Sequence, residues 1–492
     1  MQDRTVGAML CLVTIFFTSS IFGQGRWPGF RGISGKGVAA EEKRLPVEFD
    51  QDKNVIWQCP LPKGHSSPCI WDNHIFLTGY AGGKLETICV ERSTGKILWR
   101  KSAPVRQIER VHQIGSPASS TCTTDGQRVY VYFGSYGLLC YDFEGNKLWE
   151  KSLPLPQNKY GTASSPILAR DVLIFLDDQD QWSRLLAMDP KTGEIIWEKE
   201  RSGFMSNWST PMYWNNQGVD EVVVYGQLYV VAYDLKDGLE RWTIPGMTHE
   251  PCITPVAGEG LVFISSYCMN NNNEIIGPPK WDELIEKYDK DKDGELAFEE
   301  VPPKLSILSR FDADGEGDHP LREQFTFLDA NRDRKLNMRE YHRWQVMIDS
   351  YWYENAIMAI RPGKVGDEKG AQIVWKQTEG VPEVPSPLYY QGRVYTVKNG
   401  GVVTCQAAKT GERKYQEKLG VGGPYYASLV AGDGKIYAAA TRGVVTVYVA
   451  GDSLKILAKN NLQERIMATP ALVDGKIYVR TEKNLYAFGE KE

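Results

Sequence analysis

Past residue 23, this 492-residue sequence has no apolar run long enough to span a membrane. It has no basic excess either: 57 Lys and Arg stand against 62 Asp and Glu, for a net charge of −5. That balance leaves no electrostatic footprint for a nucleic-acid partner, and none is expected. Cysteine is sparse, nine in all, and no two are adjacent. Cys89, Cys140 and Cys405 recur at equivalent places in a repeat, which reads as small buried residues more than as bridges.

What the chain has in quantity is one repeated phrase. Its cleanest copy is Ala187-Met-Asp189-Pro-Lys-Thr-Gly193-Glu-Ile-Ile-Trp197. A strand-like run ends on Asp, a Thr-Gly turn follows, and a second run carries Trp four residues after the Gly. The left-handed backbone of a tight turn suits Gly, and Asp or Thr can bond the turn amides. Further copies end on Trp99, Trp149, Trp242 and Tyr415, with Trp57, Trp375 and a degenerate Leu457 in the same role. The aromatic recurs roughly every 40–50 residues, the period of four-stranded propeller blades. One interval, Trp242 to Trp375, is too long and must hold an insertion.

A second marker opens each unit: Ser67-Pro68, Ser116-Pro117, Ser165-Pro166, Thr210-Pro211, Thr254-Pro255, Ser386-Pro387, Ser428-Leu429 and Thr469-Pro470. Pro is tolerated at a strand start, where its missing N–H costs no ladder bond. Eight openings predict eight blades. The last blade runs out of chain before its fourth strand, and Asn54-Val-Ile-Trp57-Gln-Cys-Pro is a strand without a blade. Pairing the two closes the ring and removes both edges. The expectation is an all-β, eight-bladed β-propeller closed by an N-terminal strand, with a small all-α insertion. Residues 24–268 supply the lead-in, the closing strand, blades one to four and half of blade five. Residues 269–354 are the insertion, and 355–492 complete the ring.

Residues 1–23 read as a secretory signal: Arg4 is the basic start, Val6 to Phe17 the apolar core, and Ser19, Ser20 and Gly23 the small residues for cleavage. The mature chain is then exported, periplasmic or extracellular, with no membrane span. Residues 24–50 look like a lead-in packing across the propeller. The links between blades gather His65, Arg106, Arg110, His112, Lys159, Tyr160, Trp208, His249, Glu250, Tyr425 and Tyr426 on one face, with the acidic loop Asp177 to Asp180 beside them. For any one of these, packing or solvation is the default reading; for the acidic loop it is turn formation.

The insertion carries the clearest chemistry. Asp289-Lys-Asp291-Lys-Asp293-Gly294-Glu295-Leu296-Ala-Phe-Glu-Glu300 fills every position of an EF-hand calcium loop. Asp289, Asp291 and Asp293 offer one oxygen each, Glu295 its backbone carbonyl, and Glu300 two oxygens. Leu296 should pair with its counterpart in a partner loop. The second stretch, Asp329-Ala-Asn331-Arg-Asp333-Arg334-Lys335-Leu336-Asn337-Met-Arg-Glu340, repeats the pattern with Asp329, Asn331, Asp333, the Lys335 carbonyl and Glu340. It has Arg334 where Gly is usual, and extra positive charge, so weaker binding is expected. Trp281, Leu284, Ile285 and Tyr288 give an entering helix an apolar face; Pro302 and Pro303 limit the exiting one. Tyr341, Trp344 and Ile348 mark the exit from the second loop, and Asp312 to Gly317 reads as a linker.

The Asp…Thr-Gly…Trp phrase resembles the quinoprotein-type, PQQ-like repeat propellers over residues 45–268 and 355–488, and the insertion resembles paired EF-hands. That family includes alcohol dehydrogenases that use pyrroloquinoline quinone and non-catalytic scaffolds such as the outer-membrane assembly lipoprotein. Its enzymes carry an adjacent Cys-Cys bridge and a catalytic Asp. Neither is matched here, so PQQ is not expected. The resemblance implies a calcium-binding, non-catalytic binding or scaffolding module with a protein or cell-envelope partner on the loop face. A quinone-dependent dehydrogenase and an envelope assembly factor are the alternatives.

Overall fold

The computed structural model describes residues 25–40, 44–158, 160–268, 275–276, 279–310, 319–342, 355–363 and 370–490. The signal segment, Lys159, the Asp312–Gly317 stretch, Trp344 and Ile348 lie outside them. Eight antiparallel sheets form the eight blades, seven of four strands and one, blade one, of five, since Arg26–Trp27 adds to it. Blade three is typical: Ile167–Ala169 lies innermost, then Val172–Asp178, Ser183–Met188 and Ile195–Glu200 outward. The middle strands of each blade are almost wholly buried between neighbouring blades, whereas the outermost alternate and carry charges. Arg100, Glu150 and Lys199 stand on these open edges, which discourages pairing with another chain.

The last blade is completed by Val55–Pro60, which pairs with Asn484–Phe488 in the register Trp57↔Ala487 and Cys59↔Leu485. In all eight outer strands one residue bulges out immediately before the aromatic position. The bulge turns the ring inward against the next blade. In blade seven the residue opposite Val447 is Ala458, and Leu457 is the bulge. The degenerate aromatic position is therefore Ala458, not Leu457; with no aromatic residue to mark it, the sequence left it one place uncertain.

Most of the repeat Trp residues share one task, although Trp242 instead bonds Glu221 of its own blade at 3.0 Å. The indole N–H of Trp99 bonds the Phe143 carbonyl at 2.7 Å, Trp149 that of Pro190 at 3.0 Å, Trp197 that of Leu235 at 3.0 Å, and Trp375 that of Ala408 at 2.8 Å. All four carbonyls belong to the turn of the next blade. The turn glycine lies under the ring: a Cβ on Gly193 would meet Trp149 at 2.7 Å, and its φ is +73°. The repeated Gly and the repeated Trp are thus one contact, made across a blade boundary.

A second inter-blade contact runs around the channel. Ser67 N–H bonds Thr121 Oγ1, and Thr121 N–H bonds Ser165 Oγ. The same bond then links Ser165 to Thr210, Thr254, Ser386, Ser428 and Thr469, and Thr469 N–H returns to Ser67 Oγ at 3.1 Å. All eight side chains are buried. The opening of blade two is therefore Thr121-Cys122, not Ser116-Pro117. Ser116-Pro117 sits within the link and mimics the motif, while the true opening lacks the Pro that made the others visible.

The lead-in packs across the propeller, against the inner strands of several blades. Arg26–Trp27 pairs with the innermost strand of blade one. Pro28 accepts from Thr123 and Thr124 of blade two, and Arg31 donates to the Pro387 carbonyl of blade six at 2.6 Å. Ala39 bonds Ala431 of blade seven. Trp27 and Arg31 are fully buried there. The chain then leaves between blades seven and eight, with Phe49 stacked on Phe488 at 4.7 Å.

Candidate metal centre

Blade five is interrupted. Leu261–Ser266 pairs directly with Ala356–Arg361, so the insertion leaves the propeller where other blades have a short hairpin. That hairpin end is the face where the links between blades run. At its root the Asn355 side chain bonds both the Cys268 N–H, at 2.6 Å, and the Cys268 carbonyl, at 2.8 Å. One amide thus clamps the two strands as they part.

Within the insertion, helix α1 (Trp281–Tyr288) enters the first loop and helix α2 (Leu321–Leu328) the second. Residues 338–342 are helical after the second loop. After the first loop the chain makes only a turn before Pro302, so the exiting helix is cut short there. Short strands add to the helices: Ile275–Ile276, Ser306–Arg310 and His319–Pro320 form a small sheet. Leu284, Leu296, Leu321, Phe325, Leu336 and Tyr341 share one buried core. Leu296 pairs with Leu336 in a two-residue ladder that places the loops side by side.

The two loops have one conformation. In the first, Gly294 has φ +84° and its N–H bonds Asp289 at 3.0 Å. In the second, Arg334 adopts φ +69° and its N–H bonds Asp329 at 2.9 Å. Arg is held in glycine's backbone region by the same hydrogen bond. Its side chain leaves the loop for Glu299, at 2.5 Å, and so does not crowd the oxygens. Lys335 also leaves, bonding Asp293 of the first loop. That ammonium holds the Asp293 carboxyl below its usual range.

The oxygens converge. One carboxylate oxygen from each of Asp289, Asp291 and Asp293 lies within 4.8 Å of the others. Glu300 reaches back with both oxygens, to Lys290 N–H at 2.8 Å and Ala297 N–H at 2.9 Å; Glu340 does the same with Ala330 and Asn337. Asn331 and Asp333 bond each other at 2.7 Å. Asp329 is 6% exposed, and its Oδ1 has no hydrogen-bond partner among the described residues. A buried carboxylate oxygen left unpaired is costly unless something positive meets it. These donors, with the Glu295 and Lys335 carbonyls, are the set a hard divalent cation takes.

On the surrounding face the link residues meet only in part. His112, Tyr160 and Trp208 stack edge to face in sequence, at 5.3 and 5.2 Å. His249 Nδ1 stands 3.7 Å from Cys268 Sγ. Tyr425 is buried. The acidic loop is consumed by protein partners: Asp177 accepts from Trp182 and Arg184, both at 3.0 Å, Asp178 from the buried Arg201, and Asp180 from Ser206. Its carboxylates hold the fold together through these bonds. His65 is pushed down to about 4, by burial first and then by Arg480 and Arg465. Sequence reasoning missed Glu109. It is 3% exposed, accepts from Thr162 N–H and Oγ1 at 3.0 Å, and is raised to about 7 by burial. Nothing in its neighbourhood, Gln107-Ile108-Glu109-Arg110, marks it as buried.

These features define an eight-bladed β-propeller that bears a two-loop acidic module on its link face. Residues 41–266 match the model of the PQQ-type repeat family described as outer membrane protein assembly factor BamB. Among solved structures the chain is similar to BamB from Moraxella catarrhalis, at 11% identity over 92% of this chain and 98% of that one, TM-score 0.51. It is also similar to the quinohemoprotein alcohol dehydrogenase from Comamonas testosteroni, at 11% identity over 95% and 81%, TM-score 0.53. The computationally designed Ika8 protein matches at 10% identity over 89% and 100%, TM-score 0.53. At such identities the likeness is one of fold, shared by an assembly factor, an enzyme and a design alike. A comparison with the sequences of curated proteins finds no match.

Proposed function

We propose that this is an exported, calcium-binding propeller that acts as a non-catalytic docking module of the cell envelope, with calcium ordering the insertion on the link face. One observation carries the reading: two side-by-side loops of one conformation present converging oxygens, and one of these, Asp329 Oδ1, is buried without a partner among the described residues. Asp289, Asp291, Asp293, the Glu295 carbonyl and Glu300 would hold the first ion. Asp329, Asn331, Asp333, the Lys335 carbonyl and Glu340 would hold the second. The family match over residues 41–266 supports a scaffold with a protein partner. The lead-in supports it too, since Trp27 and Arg31 fill channel space from the turn side.

The test is calorimetric titration of the full mature chain with calcium, then with pyrroloquinoline quinone in saturating calcium. Calcium binding that loses one site in Glu300→Gln and the other in Glu340→Gln is the expected result. Absence of calcium binding sinks the proposal. Stoichiometric quinone binding would replace it with the dehydrogenase reading.

A further inference from the structure

We infer that Lys335 is a tethered competitor for the cation of the first loop, lowering that loop's affinity and reserving it for divalent ions. This rests on the calcium reading above and adds a determinant of affinity that the loop pattern alone does not contain.

Lys335 belongs to both loops. At the seventh place of the second loop its contribution to that loop's ion is a backbone carbonyl, so its side chain is free to go elsewhere. The two-residue ladder pairs Lys335 with Ala297, the ninth residue of the first loop. From there the ammonium reaches Asp293, with which it forms an ion pair, and it lies 3.9 Å from Asp291 Oδ2. Both carboxylates belong to the oxygen cluster of the first loop.

The arrangement is one-sided. The residue at the seventh place of the first loop is Glu295, which has no positive charge to return to the second loop. Of the second loop's other cations, Arg334 at the glycine place is paired with Glu299. The loop richer in carboxylates is therefore the one fitted with an internal counter-ion, while Asp329 of the other keeps an oxygen unpaired among the described residues.

An entering ion must displace the ammonium or share the carboxylates with it a few ångströms away, where like charges repel. A monovalent ion brings the same charge as the ammonium without its tether, and tethering makes the resident group the effectively concentrated one. A divalent ion gathers Asp289, Asp291, Asp293 and Glu300 together and wins.

The experiment is calcium titration of the full chain in a Glu340→Gln background, which leaves only the first loop, with Lys335 or Lys335→Gln. The expected result is binding about tenfold tighter in Lys335→Gln at low salt, a gap that narrows as salt screens the charge. Lys335→Arg, which keeps the charge, should bind as the Lys335 protein does. Equal affinity with and without the Lys335 charge overturns the inference while the calcium reading stands. Binding by neither overturns both, starting with the calcium reading.

Discussion

The N–H of Thr469 donates to Ser67 Oγ at 3.1 Å, joining residues 402 positions apart. It is the closing member of eight bonds of one kind, each from the backbone of one blade to the hydroxyl of the next. The hydroxyls are buried, so no water replaces a lost acceptor. Ser428→Ala deletes the acceptor of Ser386 N–H, which it now meets at 3.0 Å. The expected loss is about 1–3 kcal/mol, the cost of a buried donor left unmade. Denaturant unfolding of the variant beside the parent measures it, and a change under a few tenths would refute the ring's contribution.

Gly193→Ala should cost more than an ordinary turn substitution. The residue is at φ +73°, and its new Cβ would stand 2.7 Å from the Trp149 ring. Backbone strain and a clash across the blade boundary add, for a loss of about 2–4 kcal/mol. Gly218→Ala is the control: its φ is +95° but no atom lies within 4 Å of the built Cβ, so it bears the strain alone. Thermal melting of the two variants separates the terms; equal losses would mean that the ring contact is not the determinant.

Glu109 gives the protein a pH signature. Burial raises it from 4.5 to about 7, so the folded chain holds this proton more tightly than the unfolded chain does. The resulting stability is complete below about pH 4.5 and is lost as pH rises through 7. Glu109→Gln cannot ionise. Between pH 4.5 and pH 8 the balance between variant and parent should therefore move toward the variant by roughly 3 kcal/mol. Unfolding both proteins at the two pH values tests this, and a constant difference would show that Glu109 does not ionise in the burial seen here.

Calcium should stabilise the insertion more than the propeller. At an ion concentration 100 times the dissociation constant the gain is about 2.7 kcal/mol per site. Excess chelator should lower the melting of the helical module, read by the environment of Trp281, which packs 5.4 Å from Tyr341. A melting profile indifferent to chelator would count against both loops.

The architecture was legible because the blade contacts are made by rare residues at fixed places. A Trp set on a Gly marks five of the boundaries, and the eight openings mostly carry Pro. Where those letters are missing the reading slipped, by one residue at Ala458 and by five at Thr121, because register there is set by hydrogen bonds that any hydroxyl or small residue can make. The packing of the lead-in across the propeller was legible in outline, but the burial of Trp27 and Arg31 was not. The paired loops were readable because Asp at the first place, the eighth-place Leu296 and Leu336, and the twelfth-place Glu recur at fixed spacing. The destination of Lys335 was not, because it depends on how two loops lie across a two-residue ladder.

The lead-in imposes an order of events on folding. Gly25, Ala39, Leu45 and Phe49 are made long before their partners Asp474, Ala431, Asp433 and Phe488. Early blades can form in sequence as the chain emerges, and Arg26–Trp27 can pair with blade one at once, but Val55–Pro60 must wait for Asn484–Phe488. Closure by Val55–Pro60 is then a late, long-range and slow step, and until it occurs blade eight exposes a bare strand edge to neighbours. A chain truncated before its last blade would thus be left with both an unpaired Val55–Pro60 strand and an open ring.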